Sequence, residues 1–127
     1  MIVVDASALL AIHFAEPERD TFTNRIIASP AIISAVNAWE AFVRAHAVDG
    51  ETGREKLGNL INSLGVEIAP VDAETTFAAV DAFLRYGKRA PAKLNMGDCF
   101  AYVLAKTRNA ALLFKGDDFA NTDIQAA

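Results

Sequence analysis

Residues 1–10 read MIVVDASALL. Ile2, Val3 and Val4 make a short apolar run, mostly β-branched, which is the pattern of a parallel strand buried on both faces. Asp5 closes it. Residues 111–119, ALLFKGDDF, repeat the arrangement: an apolar strand from Ala111 to Phe114, then Gly116, Asp117 and Asp118. In open parallel sheets, ligands bind at the carboxyl ends of the strands. These two stretches therefore set carboxylates on the functional edge of an α/β fold.

The intervening sequence alternates in the same way. Ile32 and Ile33 read as a second strand, and Val66–Ala69 as a third closed by Pro70. Pro17, flanked by Glu16 and Glu18, suits the first turn of a helix that ends near Ser29 and Pro30. Ser34 is placed to cap a helix with Val36, Val43 and Ala47 on one stripe and Trp39 and Phe42 beside it. Leu57, Leu60, Ile61 and Leu64 follow the i, i+3, i+4, i+7 spacing of another helix, and Gly65 stands where a left-handed cap belongs. Asp72 caps a further helix with Ala73, Phe77, Val80 and Leu84 as its expected buried stripe and Gly87 as its end. The segment from Met96 to Arg108 is apolar around most of its circumference and is expected at the centre. Ile124 is placed to add an edge strand. With no repeat, low-complexity stretch or linker, the pattern predicts one α/β domain over residues 1–127. Its central, mostly parallel sheet is flanked by helices.

Composition narrows the function. The chain has 127 residues, 53% of them hydrophobic and 22% charged, enough to bury a core unaided. The one cysteine, Cys99, excludes an internal disulfide, and His13 and His46 are not spaced as a zinc pair. No apolar run is long enough to span a bilayer. The apolar N-terminus lacks a preceding Lys or Arg and is interrupted by Asp5, so a signal peptide is rejected and the cytoplasm is the expected location. Twelve basic residues against sixteen acidic ones give a net charge of −4. That argues against coating nucleic acid by bulk positive charge. It leaves open an enzyme that reaches a phosphodiester through bound metal.

Two further acids join the strand-end ones. Glu40 falls on the helical face expected to point inward, where an unpaired charge costs several kcal/mol. Asp98 lies in the first turn of the most apolar helix, with Asn95 as its N-cap. Each acid alone has a simpler structural reading. Asp5, Asp117 and Asp118 suit turns, Glu40 is one helical turn from Arg44, and Asp98 suits a capping box. Their joint placement is the stronger signal. Two carboxylates about 5 Å apart repel by roughly 3 kcal/mol at an effective dielectric near 20. With no His or Cys set to hand, Mg²⁺ or Mn²⁺ on carboxylates and water fits best. Such an ion can polarise a phosphoryl oxygen and activate water for in-line attack.

MIVVDASALL, ISAVNAWE ending at Glu40, LNMGDCFAYVLAK and LLFKGDDF together resemble the PIN domain, and more narrowly the VapC-type toxins of toxin–antitoxin pairs. The match covers essentially the whole chain. The resemblance implies a Mg²⁺-dependent endoribonuclease with Asp5 and Asp98 as the main metal ligands. Glu40 and Asp117 would complete the site directly or through water and orient the nucleophile. Asp117 is preferred over the adjacent Asp118 because it follows Gly116. Ser7 occupies the position that braces the first aspartate, and Asn37 stands where many relatives carry Thr or another small residue. The resemblance also implies a homodimer, neutralised by a cognate VapB-type antitoxin whose tail occupies the active-site groove.

Arg85, Lys88, Arg89 and Lys93 cluster just before the Asp98 helix, where they are placed to contact RNA. The competing reading is a solvated loop whose cations favour the helix terminus. Trp39 and Phe42 suit core packing or a dimer seam better than base stacking. Cys99 reads as a buried packing residue, and His13 as structural or substrate-adjacent. Two alternatives fit less well. A receiver- or phosphatase-like domain needs acids that Ser7, Ala69 and Pro70 do not supply. A PIN-like module that only binds RNA or protein would not need all the acids.

Overall fold

A computed structural model describes residues 1–127. Its strands are β1 (Ile2–Val4), β2 (Ala31–Ser34), β3 (Glu67–Ala69) and β4 (Ala111–Leu113). All pair in parallel, in the order β3-β2-β1-β4. The register sets Val3 beside Ile32 and Leu112, and Val4 beside Leu113. Because side chains alternate across a strand, the two rows enter different cores. Val3, Ile32 and Leu112 pack with α4 (Ala73–Tyr86) and α5 (Met96–Thr107). Val4, Ile33 and Leu113 pack with α1 (Ala6–His13), α2 (Arg19–Ile27) and α3 (Ala35–Leu64) on the opposite face. The sheet is thus the middle of three layers, and no helix is long and apolar enough to cross a membrane.

The caps fall where the side chains dictate. Ser34 Oγ accepts from Val36 N–H, Asp72 from Thr75 N–H, and Gly65 closes α3 at φ 67°. The helix before Ser29 starts later than Pro17 implies, at Arg19, with Glu18 at the cap position and no side-chain cap bond. The C-terminal edge pairing is a single bridge of Leu112 with Ala126, two residues beyond Ile124.

Three features of the helices depart from expectation. α1 has no signature in the sequence pattern, because ASALLAIH is apolar all round and reads as a continuation of the strand. Ala6, Ala8, Leu9, Ala11 and Ile12 are all buried. Asp5 both ends β1 and caps α1, accepting from Ser7 N–H. In α3 the buried face is Asn37, Ala38, Ala41 and Ala45, whereas Val43 and Trp39 are exposed. Before Gly50 the helix packs by its small residues and Trp39 is not a core residue; after Gly50, Leu57 and Ile61 are buried, as their spacing predicts. Gly50 breaks this element with φ 63° and ψ −148°. In α4 only Ala79 and Ala82 are buried, and the expected stripe faces outward, with Phe77 70% and Leu84 77% exposed. Hydrophobic period locates an apolar face but not what covers it. Here alanines meet α5 and the bulky residues remain uncovered.

Candidate active site

A parallel sheet sends every following helix away from the same edge, so helix N-termini gather there. Asp5 caps α1, Ser34 caps α3 and Asn95 caps α5. Each N-terminus carries roughly half a positive charge, which lets acids approach. β1 and β4 are neighbours, so Asp5 and the Lys115–Asp118 segment emerge side by side.

Asp5 is 6% exposed. Ser7 Oγ donates to its Oδ2 at 2.6 Å and Ser7 N–H donates to the same oxygen at 3.1 Å. The Ser7 hydroxyl also accepts from Lys115 N–H at 3.0 Å, so it ties the end of β1 to the chain after β4. Asp98 is 7% exposed. Asn95 N–H donates to its Oδ2 at 3.1 Å, while Asp98 N–H donates to Asn95 Oδ1 at 2.8 Å, a reciprocal capping box. The capping reading of Asp98 therefore holds, and the site reading does not compete with it, because the cap itself orients the carboxylate.

Glu40 is half-buried, but its partner is not Arg44. Its Oε1 accepts from Asn37 Nδ2 at 2.8 Å, and the same amide nitrogen donates to Gly97 carbonyl oxygen at 2.9 Å. A Cβ built on Gly97 would overlap the Glu40 carboxylate. Glu40 thus rests on α5 one residue from Asp98. Asn37 is fully buried and its Oδ1 has no partner. As a replacement for Thr it looks incidental in sequence. A polar residue three positions before an inward-facing acid was the available signal.

The acids act on one another. Burial raises the pKa of Asp5 against the lowering hydrogen bonds of Ser7, and the charge of Asp118 raises it further. Burial also raises Glu40, with Asn37 opposing and Asp5 adding. Asp98 is pushed up to about 6 by burial, then by the charges of Asp5, Asp118 and Glu40. Asp118, not Asp117, is the fourth charge felt by Asp5 and Asp98. Gly116 has φ 100°, a conformation that favours glycine, so which of the two adjacent aspartates meets the site is set by the path of the chain there and not by counting from the glycine.

No cation answers these charges. Lys115 is committed to Glu16 and to Glu18, the latter at 3.4 Å, and no lysine, arginine or histidine pairs with Asp5, Glu40, Asp98 or Asp118. No three His, Cys, Asp or Glu side chains close into a ready-made metal cage. A small hard dication does not require one: Mg²⁺ keeps several waters and is held by one or two carboxylates. An all-oxygen donor set with uncompensated charge fits that ion.

Residues 2–125 match the PIN domain family. The chain belongs to the PIN family. Among PIN relatives, a "Ribonuclease VapC" of Mycolicibacterium smegmatis is 38% identical over 98% of both chains. "Ribonuclease VapC30" of Mycobacterium tuberculosis is 38% identical over 97% of this chain and 95% of its own. In fold, Mycobacterium tuberculosis VapC20, described as a sarcin–ricin loop cleaving toxin, superposes with a TM-score of 0.81 at 14% identity over 100% of this chain and 98% of that one. VapBC2 from Rickettsia felis, bound to a DNA fragment from its promoter, superposes with a TM-score of 0.79 at 17% identity over 99% and 96% of the two chains. The receiver- and phosphatase-like alternatives fall with PIN membership.

The remaining candidates divide. Lys88, Arg89 and Lys93 are exposed and form no ion pair. Arg85 is less free: its guanidinium lies 4.8 Å over the Tyr86 ring and in the field of Asp123. Asp123 accepts from Tyr102 hydroxyl at 2.6 Å and from Lys106 at 3.1 Å, which holds the C-terminal segment against α5. Cys99 is buried and its thiol is pushed up to about 11 by burial and by Asp98, a packing residue rather than a nucleophile. His13 packs edge-on to Phe14 at 4.8 Å.

Proposed function

We propose that this chain is a divalent-metal-dependent endoribonuclease and the toxin of a toxin–antitoxin pair. The observation that carries the reading is the convergence of Asp5, Glu40 and Asp98 on one sheet edge with no cation to neutralise them. The near-full-length similarity to proteins named as ribonucleases supports RNA as substrate. Asp5 and Asp98 hold the ion, Mg²⁺ with Mn²⁺ as substitute, and Glu40 and Asp118 complete its surroundings. When bound, the ion supplies charge neutralisation, a Lewis acid for a phosphoryl oxygen and a lowered pKa for water. Ser7 fixes the Asp5 carboxylate through two donors on one oxygen. Lys88, Arg89 and Lys93 lead into the Asp98 helix and bind flanking phosphates, which a net charge of −4 would otherwise repel.

The test is cleavage of RNA by the purified chain in Mg²⁺ or Mn²⁺, with chelator as control. Cleavage should stop with chelator and return with added ion. Activity that survives chelation overturns the metal assignment. In the same assay Lys88→Glu with Arg89→Glu should raise KM about tenfold and leave kcat within about twofold, because phosphate contacts position rather than react. An unchanged KM removes the loop from the RNA path.

The chain meets its RNA in the cytoplasm and is neutralised there by a VapB-type antitoxin whose tail enters the groove of the acids. Structural relatives include a toxin–antitoxin complex from Klebsiella pneumoniae and VapBC2 on promoter DNA, which supports that partner. The uncovered face of α4, with Phe77, Val80, Phe83 and Leu84 beside Met96, is the seam of a homodimer. Contiguous apolar surface of this kind marks an interaction site. Leu84→Glu should leave the far-UV spectrum unaltered and shift sedimentation from dimer to monomer. A dimer that persists in this variant places the seam elsewhere.

A further inference from the structure

We infer that Asn37 and Gly97 form a two-sided cradle that positions the Glu40 carboxylate for the metal site. The inference rests on the metal-dependent reading above. Both partners of the Asn37 amide nitrogen, Glu40 Oε1 and Gly97 carbonyl oxygen, are acceptors, at 2.8 and 2.9 Å. The orientation of the amide is therefore fixed by chemistry. One nitrogen joins α3 to the first turn of α5, across 60 residues of sequence. Its other end gains nothing: Asn37 is fully buried and Oδ1 has no partner. An apolar side chain would pack there without stranding an oxygen, so what the position requires is the donor.

Gly97 supplies the second side. A Cβ there would occupy the space of the Glu40 carboxylate, and no other group stands nearer. The glycine is needed for the room it leaves rather than for its backbone angles, since it lies within regular helix. Adding a methyl displaces only the far end of a flexible side chain. Gly97→Ala should therefore fold normally and still move Glu40. Asn37→Ala removes the donor and leaves the space. The two substitutions disturb one carboxylate by unrelated routes, and each touches it without altering an acid.

The experiment is Mn²⁺ binding by titration calorimetry on the intact chain without RNA, for the wild type, Asn37→Ala, Gly97→Ala, Glu40→Gln, and each of the first two combined with Glu40→Gln. Asn37→Ala and Gly97→Ala should each weaken Mn²⁺ affinity about tenfold, the lower end of what loss of an orienting partner costs. In the Glu40→Gln background each should add less than about twofold, because they act only through that residue. A structural role would instead lower the thermal midpoint and add in full to Glu40→Gln. Single variants that bind as the wild type does, or effects that remain additive, overturn the cradle and leave the metal site standing. A wild type that binds no Mn²⁺ overturns the metal reading and the cradle with it.

Discussion

Asp98→Asn is expected to lower RNA cleavage at least about a hundredfold, the scale of losing one preorganised electrostatic group from an active site, and to leave the metal-free protein as stable as the wild type or more so. The two halves have separate causes. Burial, and then the charges of Asp5, Asp118 and Glu40 around it, push the pKa of Asp98 to about 6. Removing the charge removes a repulsion that only bound metal offsets. The asparagine keeps one carbonyl oxygen, which is all that the Asn95 N–H requires, so the capping box survives. Asp5→Asn should behave alike, because both Ser7 donors fall on a single oxygen and asparagine caps helices as well as aspartate. Asp5→Ala is the informative contrast. It also loses the cap of α1, at about 1 kcal/mol, and its thermal midpoint should fall. Cleavage rates set against thermal midpoints in chelator test both halves. A variant that keeps a tenth of wild-type activity would move the chemistry away from these acids. One that unfolds without metal would make the carboxylate structural.

The parts of this site that sequence could reach were those carried by strand ends and caps. A β-branched run that stops at an acid has few solutions in a parallel sheet, so Asp5 and the segment after β4 were placed by topology alone. Asn95 and Asp98 were legible because a capping box is local chemistry. What was hidden depended on packing between distant elements. Asn37 matters because Gly97, far along the chain, arrives beside it. Which of Asp117 and Asp118 meets the site depends on the path of the chain after Gly116, which no local pattern encodes; of the two, Asp118 is the one whose charge acts on Asp5 and Asp98. The helix faces failed for a related reason. In α4 and in the part of α3 before Gly50 the small residues meet the protein and most bulky ones do not, whereas after Gly50 Leu57 and Ile61 are buried as their spacing predicts. The stripe of Phe77, Val80 and Leu84 is a face that the rest of the chain leaves uncovered. Glu40 was singled out from a stripe that is not the buried one, yet it does turn toward the site. Its neighbour Asn37, and not Val36 or Val43, marks the inward face.

Without metal, stability should rise as the solution is acidified from pH 8 toward pH 4, against the usual trend for acids that are paired in the native state. The sign follows from direction: the three raised carboxylates of the site outnumber His13, which burial lowers and which acts the opposite way in this window. Asp5, Glu40 and Asp98 all have folded-state pKa values above their ordinary ones. The folded chain therefore binds protons more tightly than the unfolded chain in this window. That contribution is complete below the ordinary carboxylate value of 3.8 and is lost as pH rises through the folded value, about 6 for Asp98. Metal and proton compete for the same oxygens, so the thermal shift produced by Mn²⁺ or Mg²⁺ should be small at pH 5 and grow toward pH 8. An ion at tenfold its Kd stabilises by about 1.4 kcal/mol, which raises the midpoint by about 3–8 °C in a domain of this size. Asp98→Asn should flatten the acid rise and remove most of the metal shift together, because one group underlies both. Calorimetric scans across that pH range, with chelator and with each ion, make the measurement. A metal shift that does not vary with pH would mean the ion binds elsewhere. A metal-free protein that loses stability throughout acidification would mean that these carboxylates are already neutralised by partners within the chain.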